Sequence, residues 1–444
     1  MIKKIIIRPI ERFLKLEASS GILLILAAAI AIVMANTGLH HLYHDILHFP
    51  VNLQVGALDL NGTLHHWVND ALMVIFFFVV GLEIKRELVL GELSTPKKAA
   101  LPLFAALGGM VVPAGIYALL NMSGAEGTAL NGWGIPMATD IAFAVGIITL
   151  LGKRVPFSLK IFLLALAIVD DLGAVFVIAA FYTSEINASA LGVAAFGCVA
   201  MILFHYIGVR SVIAYVLLGV AIWLGFFKSG VHATIAGVVI GFLTPFQAMI
   251  RGDELGEKIS KLSKNALEKI NFNDSKATKV DLEYKDRKTI LSLRKIAYEG
   301  LSPMDRLIDQ LHPWVSFFIM PVFAFFNAGV EISSEALSSF FTSPVSMGVV
   351  LGLIVGKPIG ILLFSWLSTV LKMASLPTGV NWKQVLGLGF LGGIGFTMSL
   401  FVTGLAITDP FMADLAKMGI LAASLVASVV GAVILILSSP NKSS

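Results

Sequence analysis

The chain has 444 residues, of which 57% are hydrophobic and 14% charged, with a formal net charge of +4 and a mean hydropathy of +0.88. A typical soluble domain carries about 25% charged residues, so the composition excludes an ordinary soluble enzyme. It points to a bilayer, where a spanning helix takes roughly 20 mostly apolar residues. The apolar runs are continuous and do not alternate, which argues against a β-barrel. No nucleic-acid partner is expected.

Windows of about 19 residues predict an all-α polytopic protein, one transmembrane transporter domain over 1–444. Twelve spans fall at 13–35, 64–90, 97–120, 130–151, 156–182, 188–207, 210–227, 230–247, 311–330, 344–370, 383–406 and 413–438. The first is read as a helix and not as a cleavable signal. Lys3, Lys4, Arg8, Arg12 and Lys15 precede it, and alternate connections repeat that bias: Lys85, Arg86, Lys97 and Lys98; Lys153 and Arg154; Arg210; the loop after 247; Lys372 and Lys383; Lys442. The other side holds little beyond Lys228 and Lys417. By the positive-inside rule both termini are cytoplasmic.

Two connections stand out. Residues 51–64 contain the alternating Val51-Asn-Leu-Gln-Val55 and an Asn61-Gly62 turn signal, which together predict a small external β-hairpin. Residues 248–305 are charged, mixed in sign and poor in large apolar groups. They read as a cytoplasmic loop, partly disordered, with an amphipathic helix near Leu255–Ile270.

Spans four and eleven are interrupted. Gly134 and Pro136 precede Thr139-Asp140, and Gly392-Gly393-Ile394-Gly395 precedes Thr397. These spans cross in opposite directions, as inverted repeats do, and paired broken helices mark a transporter's binding site.

Charge in hydrocarbon costs at least ~2.5–3.5 kcal/mol per residue and is usually functional. Asp140, Asp170, Asp171 and Lys357 all lie within apolar spans. Adjacent carboxylates at that depth cannot both ionise cheaply. Such a pair holds protons, or releases them to hold a small hard cation such as Na⁺, which suits carboxylate and hydroxyl oxygens. Competition for one site gives exchange. Thr139 adds a hydroxyl, and Lys357 is the counter-charge. At a broken helix, Asp140 would face N-terminal ends and Lys357 C-terminal ends.

The strings Ala138-Thr-Asp-Ile-Ala-Phe143, Asp170-Asp-Leu-Gly173, Ser229-Gly-Val-His-Ala-Thr234, Leu311-His-Pro-Trp314, Asn327-Ala-Gly329, Gly356-Lys-Pro358 and Gly392-Gly-Ile-Gly-Phe-Thr-Met398 resemble the NhaA-type sodium/proton antiporters, in order, from about residue 10 to 438. The resemblance implies a secondary active, electrogenic, pH-regulated Na⁺(Li⁺)/H⁺ antiporter of the bacterial inner membrane that needs no cofactor. It implies Asp171 as main ion ligand, Asp170 paired with Lys357, and Asp140 and Thr139 at the unwound segment, with Asp171, Asp170 and Thr139 meeting Na⁺. It implies a core of 97–182 and 344–438, interface helices in 13–90, 188–247 and 311–330, and a homodimer through the hairpin. A pH-responsive cytoplasmic funnel would use Glu83, Lys85, Arg86 and Glu87; Asp309 and His312 at the start of the ninth span, and His232 at an external helix start, are further pH-sensing candidates. Leu307-Ile-Asp-Gln-Leu-His-Pro-Trp314 keeps His312 but lacks a second histidine nearby.

Other signals are set aside. Gly387-Leu-Gly-Phe-Leu-Gly392 matches a dinucleotide fingerprint, but no strand precedes it. Gly352, Gly356 and Gly360 read as a close helix-packing face. His40, His41, His44, His48, His65 and His66 crowd the first external connection. Their spacing suits zinc, but no cysteine supports it, so a solvated surface is expected. Cys198 reads as packing. An organic-anion symporter would want a roomier polar cavity. A passive sodium channel would not explain a lysine among the acids.

Overall fold

The computed structural model describes residues 17–55, 58–122, 127–183, 186–209, 212–247, 254, 256–257, 260, 291–292, 294 and 300–439. Nearly all of the 248–305 loop, including most of its proposed amphipathic helix, lies outside these residues, as do both basic termini.

Eight helices are long and apolar enough to cross a membrane. They are α3 (Leu64–Val89), α4 (Pro96–Asn121), α5 (Asn131–Leu150), α6 (Phe157–Phe181), α7 (Ala188–Ile207), α10 (Pro303–Asn327), α12 (Pro344–Val370) and α15 (Pro410–Ser438). Two bent pairs pass the same test. One joins α1 (Glu17–Ala35) to α2 (His40–Leu47) at 117°, and the other joins α13 (Trp382–Gly392) to α14 (Phe396–Ala406) at 46°. Two shorter apolar helices, α8 (Ile213–Ser229) and α9 (Thr234–Leu243), complete the set. Together these segments occupy the positions of the predicted spans. The short α11 (Ser334–Phe340) lies between α10 and α12. Leucines, valines and phenylalanines left exposed on α1, α7, α8 and α15 form the surface a bilayer would cover.

One two-stranded sheet is present among the described residues: β1 (Pro50–Val55) pairs antiparallel with β2 (Leu58–Thr63). The Asn-Gly signal is not its turn. Asn61 pairs with Asn52 and Gly62 with Val51, so both lie inside β2, and the chain reverses between Val55 and Leu58. Thr63 then caps α3, its hydroxyl accepting from His66 N at 3.2 Å.

The glycine face of α12 is a packing face. A Cβ on Gly360 would sit 2.1 Å from Gly108 O, on Gly356 2.7 Å from Pro113 Cα, and on Gly352 2.6 Å from Pro136 Cβ. The last two partners are on α4 and on the first half of α5, so α12 presses Lys357 directly against the broken segment. Cys198 is a free thiol packed beside Met201 and Ile222.

Candidate functional site

The two broken helices create the site. In α5 a 3₁₀ stretch, Asn131–Met137, runs into extended backbone at Ala138 and Asp140 before helix resumes at Ile141. Pro136 and the short polar Thr139-Asp140 pair make that break. In α13–α14 the helix stops at Gly392 and restarts at Phe396. The two breaks meet: Asp140 N donates to Ile394 O at 2.7 Å, and Thr139 Oγ1 lies 2.8 Å from Gly392 O.

Interrupted helices strand backbone groups where no water can serve them. Here side chains satisfy them. Asp140 caps both restarting helices: Oδ1 accepts from Phe143 N at 2.9 Å, and Oδ2 accepts from Thr397 N at 3.1 Å and from the Thr397 hydroxyl. Its charge faces two helix N-termini, where the backbone dipoles favour an anion. Ser399 Oγ donates to Ile135 O at 2.7 Å, and Ser424 Oγ accepts from Phe396 N at 3.1 Å.

Beside this crossing lies the charged group. Lys357, at 0% exposure, forms an ion pair with Asp170 Oδ2 and donates to Thr139 Oγ1 at 2.8 Å. Thr139 Oγ1 also lies 2.6 Å from Asp170 Oδ2. Its single proton goes either there or to Gly392 O, so Lys357 reaches the C-terminal end of α13 through the threonine. Asp171 is different. It is 1% exposed, and neither carboxylate oxygen has a hydrogen-bond partner; Asp170 Oδ1 is likewise unpartnered. The charges acting on Asp171 are Asp170, Asp140, Glu83 and Lys357. The three aspartates therefore share one lysine, in a place where an uncompensated charge is costly.

Of the residues expected at a pH-responsive funnel, Glu83 has His312, Arg86 and Glu87 as its charged neighbours. Lys85 does something local: Nζ donates to Phe242 O at 2.7 Å and Thr244 O at 2.6 Å, capping the C-terminus of α9. Glu87 accepts from Glu92 N at 2.9 Å and closes the turn after α3. Asp309 is exposed on the first turns of α10. His232 is at the other end of the molecule. Its ring packs on Phe401 of α14 with centroids 5.4 Å apart, and Nε2 lies 3.6 Å from Asp70 Oδ1. His66 Nδ1 lies 3.0 Å from Asp70 Oδ2.

Sequence reasoning did not single out Asp70, Ser399 or Ser424, and used Thr397 only as a landmark. The available signal was a run of hydroxyl residues next to a glycine-rich break, which must satisfy stranded backbone.

Comparison with known proteins adds an independent line. The profile of the family described as Na⁺/H⁺ antiporter 1 matches residues 11–435. The Na(+)/H(+) antiporter NhaA of Salmonella typhi is 45% identical over 425 residues, 95% of this chain and 96% of that protein. The Na(+)/H(+) antiporter NhaA 1 of Klebsiella pneumoniae is 44% identical over 435 residues, 97% of each. Among solved structures, the sodium proton antiporter MjNhaP1 from Methanocaldococcus jannaschii has a similar fold, with a TM-score of 0.52 over 95% of this chain and 92% of that one at 12% identity.

Proposed function

The chain belongs to the Na⁺/H⁺ antiporter 1 family, and from that premise we propose that it exchanges Na⁺ or Li⁺ for protons across a bacterial inner membrane, with both termini cytoplasmic. The observation that carries the reading is Asp171: a buried carboxylate, unpartnered at both oxygens, beside a second carboxylate already paired with a lysine. Such a group is neutralised by a proton or by a cation. The two occupants exclude each other, and that exclusion is antiport.

Asp171 is the main ligand in this account. Asp170, the preceding residue, keeps Oδ1 unpartnered, and Thr139 is hydrogen-bonded to Asp170; these two complete the oxygen site for a hard cation in this account. Asp140 holds the crossing together. Lys357 balances Asp170 while Asp171 changes hands. Rocking of the broken-helix core, 97–182 with 344–438, against the remaining helices switches access. Electrogenic exchange needs a second proton besides the one Asp171 trades, and Asp170 would take it up when its pair with Lys357 opens. Glu83, with His312 among its charged neighbours and itself among those of Asp171, is the group we assign to coupling cytoplasmic pH to the ion site.

Reconstituted vesicles with an acidic interior test this. External Na⁺ or Li⁺ should alkalinise the interior, as read by a pH dye. Because proton and cation compete, the half-saturating Na⁺ concentration should rise as pH falls, by up to about tenfold per pH unit where the proton dominates. A dye signal indifferent to Na⁺ at every pH would reject the function.

A further inference from the structure

The outer end of the molecule holds a feature that ion exchange does not use. Helix α2 carries His40, His41 and His44 within eight residues, and His48 is its C-cap. The residues His40, His44 and His48 are four apart, so they rise along one face of the helix. The His44 and His48 rings are stacked with centroids 4.0 Å apart at 22°. His40 and His44 are 6.4 Å apart at 31°, but His40 Nε2 is already engaged by Glu331 Oε1 at 2.5 Å. His44 and His48 are exposed.

The His48 tautomer is settled by its partner. Nδ1 lies 3.0 Å from His44 O. A backbone carbonyl only accepts, so Nδ1 carries the proton and Nε2 keeps its lone pair for a ligand. Fixing one ring nitrogen by a carbonyl is the usual support of a metal-binding imidazole.

We propose that His44 and His48 form a chelating pair for one late first-row divalent ion, Ni²⁺, Cu²⁺ or Zn²⁺. Two imidazoles four residues apart on a helix are a recognised ligand spacing, and imidazole suits these metals. Nitrogens at about 2.0–2.1 Å from a tetrahedral ion lie roughly 3.3 Å apart, with both ring planes containing the ion; the stacked rings must splay open to reach this, and both side chains are exposed, with solvent around them to turn into. Among the described residues no three imidazoles or carboxylates close on one point, so water completes the coordination and the site is open to the outer solution. It is independent of the aspartate site and of the exchange reading.

The test is calorimetric titration of the untagged, full-length protein in detergent with Ni²⁺ and with Zn²⁺. The expected result is about one ion per chain. His44→Gln and His48→Gln should each weaken binding roughly tenfold or more, while His41→Gln, on another face of α2, leaves it unchanged. Na⁺/H⁺ exchange in metal-free buffer should be the same in all three, which shows that they fold. The absence of saturable binding, or parental affinity in the His44→Gln, His48→Gln double variant, would overturn the proposal.

Discussion

Asp170 and Asp171 are neighbours on one helix, both 1% exposed, yet the fold treats them oppositely. One is bonded to Lys357 and Thr139; the other has no partner. The lysine therefore acts on Asp171 mainly through charge. Replacing it with alanine removes the positive charge that resists proton uptake at both carboxylates. Protons then compete better against Na⁺, so Lys357→Ala should shift the pH profile of exchange to the alkaline side or abolish activity. Lys357→Arg keeps the charge but cannot lose its proton in range. It should retain activity if the lysine's role is electrostatic, as this geometry favours, and lose it if the lysine itself carries a proton. Measuring exchange from pH 6.5 to 9 at matched expression separates these outcomes. A parental profile in Lys357→Ala would place the lysine outside the transport site. These four charges were legible in the sequence because each interrupts an apolar run. Thr397, Ser399 and Ser424 were not, because a hydroxyl in a helix is common and only the crossing shows what it bonds. What Lys85 bonds was hidden for a related reason: its carbonyl partners are about 160 positions away, and the sequence shows only its place among the charges at the end of α3.

At the scale of elements, breaks and packing faces were read correctly where a residue type forces them. Pro136 and the glycines of 392–395 cannot continue a helix cheaply in lipid unless something satisfies the freed backbone. The glycines of α12 match backbone approaches a Cβ would block. The hairpin was found from alternation, but its turn was misplaced, since Asn61-Gly62 sits within β2. That hairpin presents strand edges and a half-exposed Leu53 at 44%, and an open edge invites another strand. It is proposed as the contact between two copies of the chain. Deleting 52–62 leaves Thr63 to cap α3 and does not touch the aspartates. The deletion should lower the dimer fraction in detergent while sparing exchange. An unchanged dimer fraction would remove the hairpin from the interface.

For the whole molecule, the arrangement separates what is fixed from what changes. Asp140, with Thr397 and the crossing backbone, is fully bonded and holds the two broken helices as one body. Phe401, from the same body, meets Phe77 of α3 and Phe323 of α10 with ring centroids 5.6 and 6.0 Å apart, and meets His232 as well. These aromatic contacts join α14 to α3, to α10 and to His232. Among the described buried carboxylates, Asp171 alone has neither oxygen hydrogen-bonded. The central claim is that a proton and a sodium ion displace each other there. It is tested most directly by adding Na⁺ to purified protein in a weakly buffered detergent solution near pH 8 and measuring the protons released. The parent protein should release protons in a saturable way, with Li⁺ doing the same, and Asp171→Asn, whose amide cannot cycle a proton, should release none. Saturable proton release undiminished in folded Asp171→Asn would contradict the account.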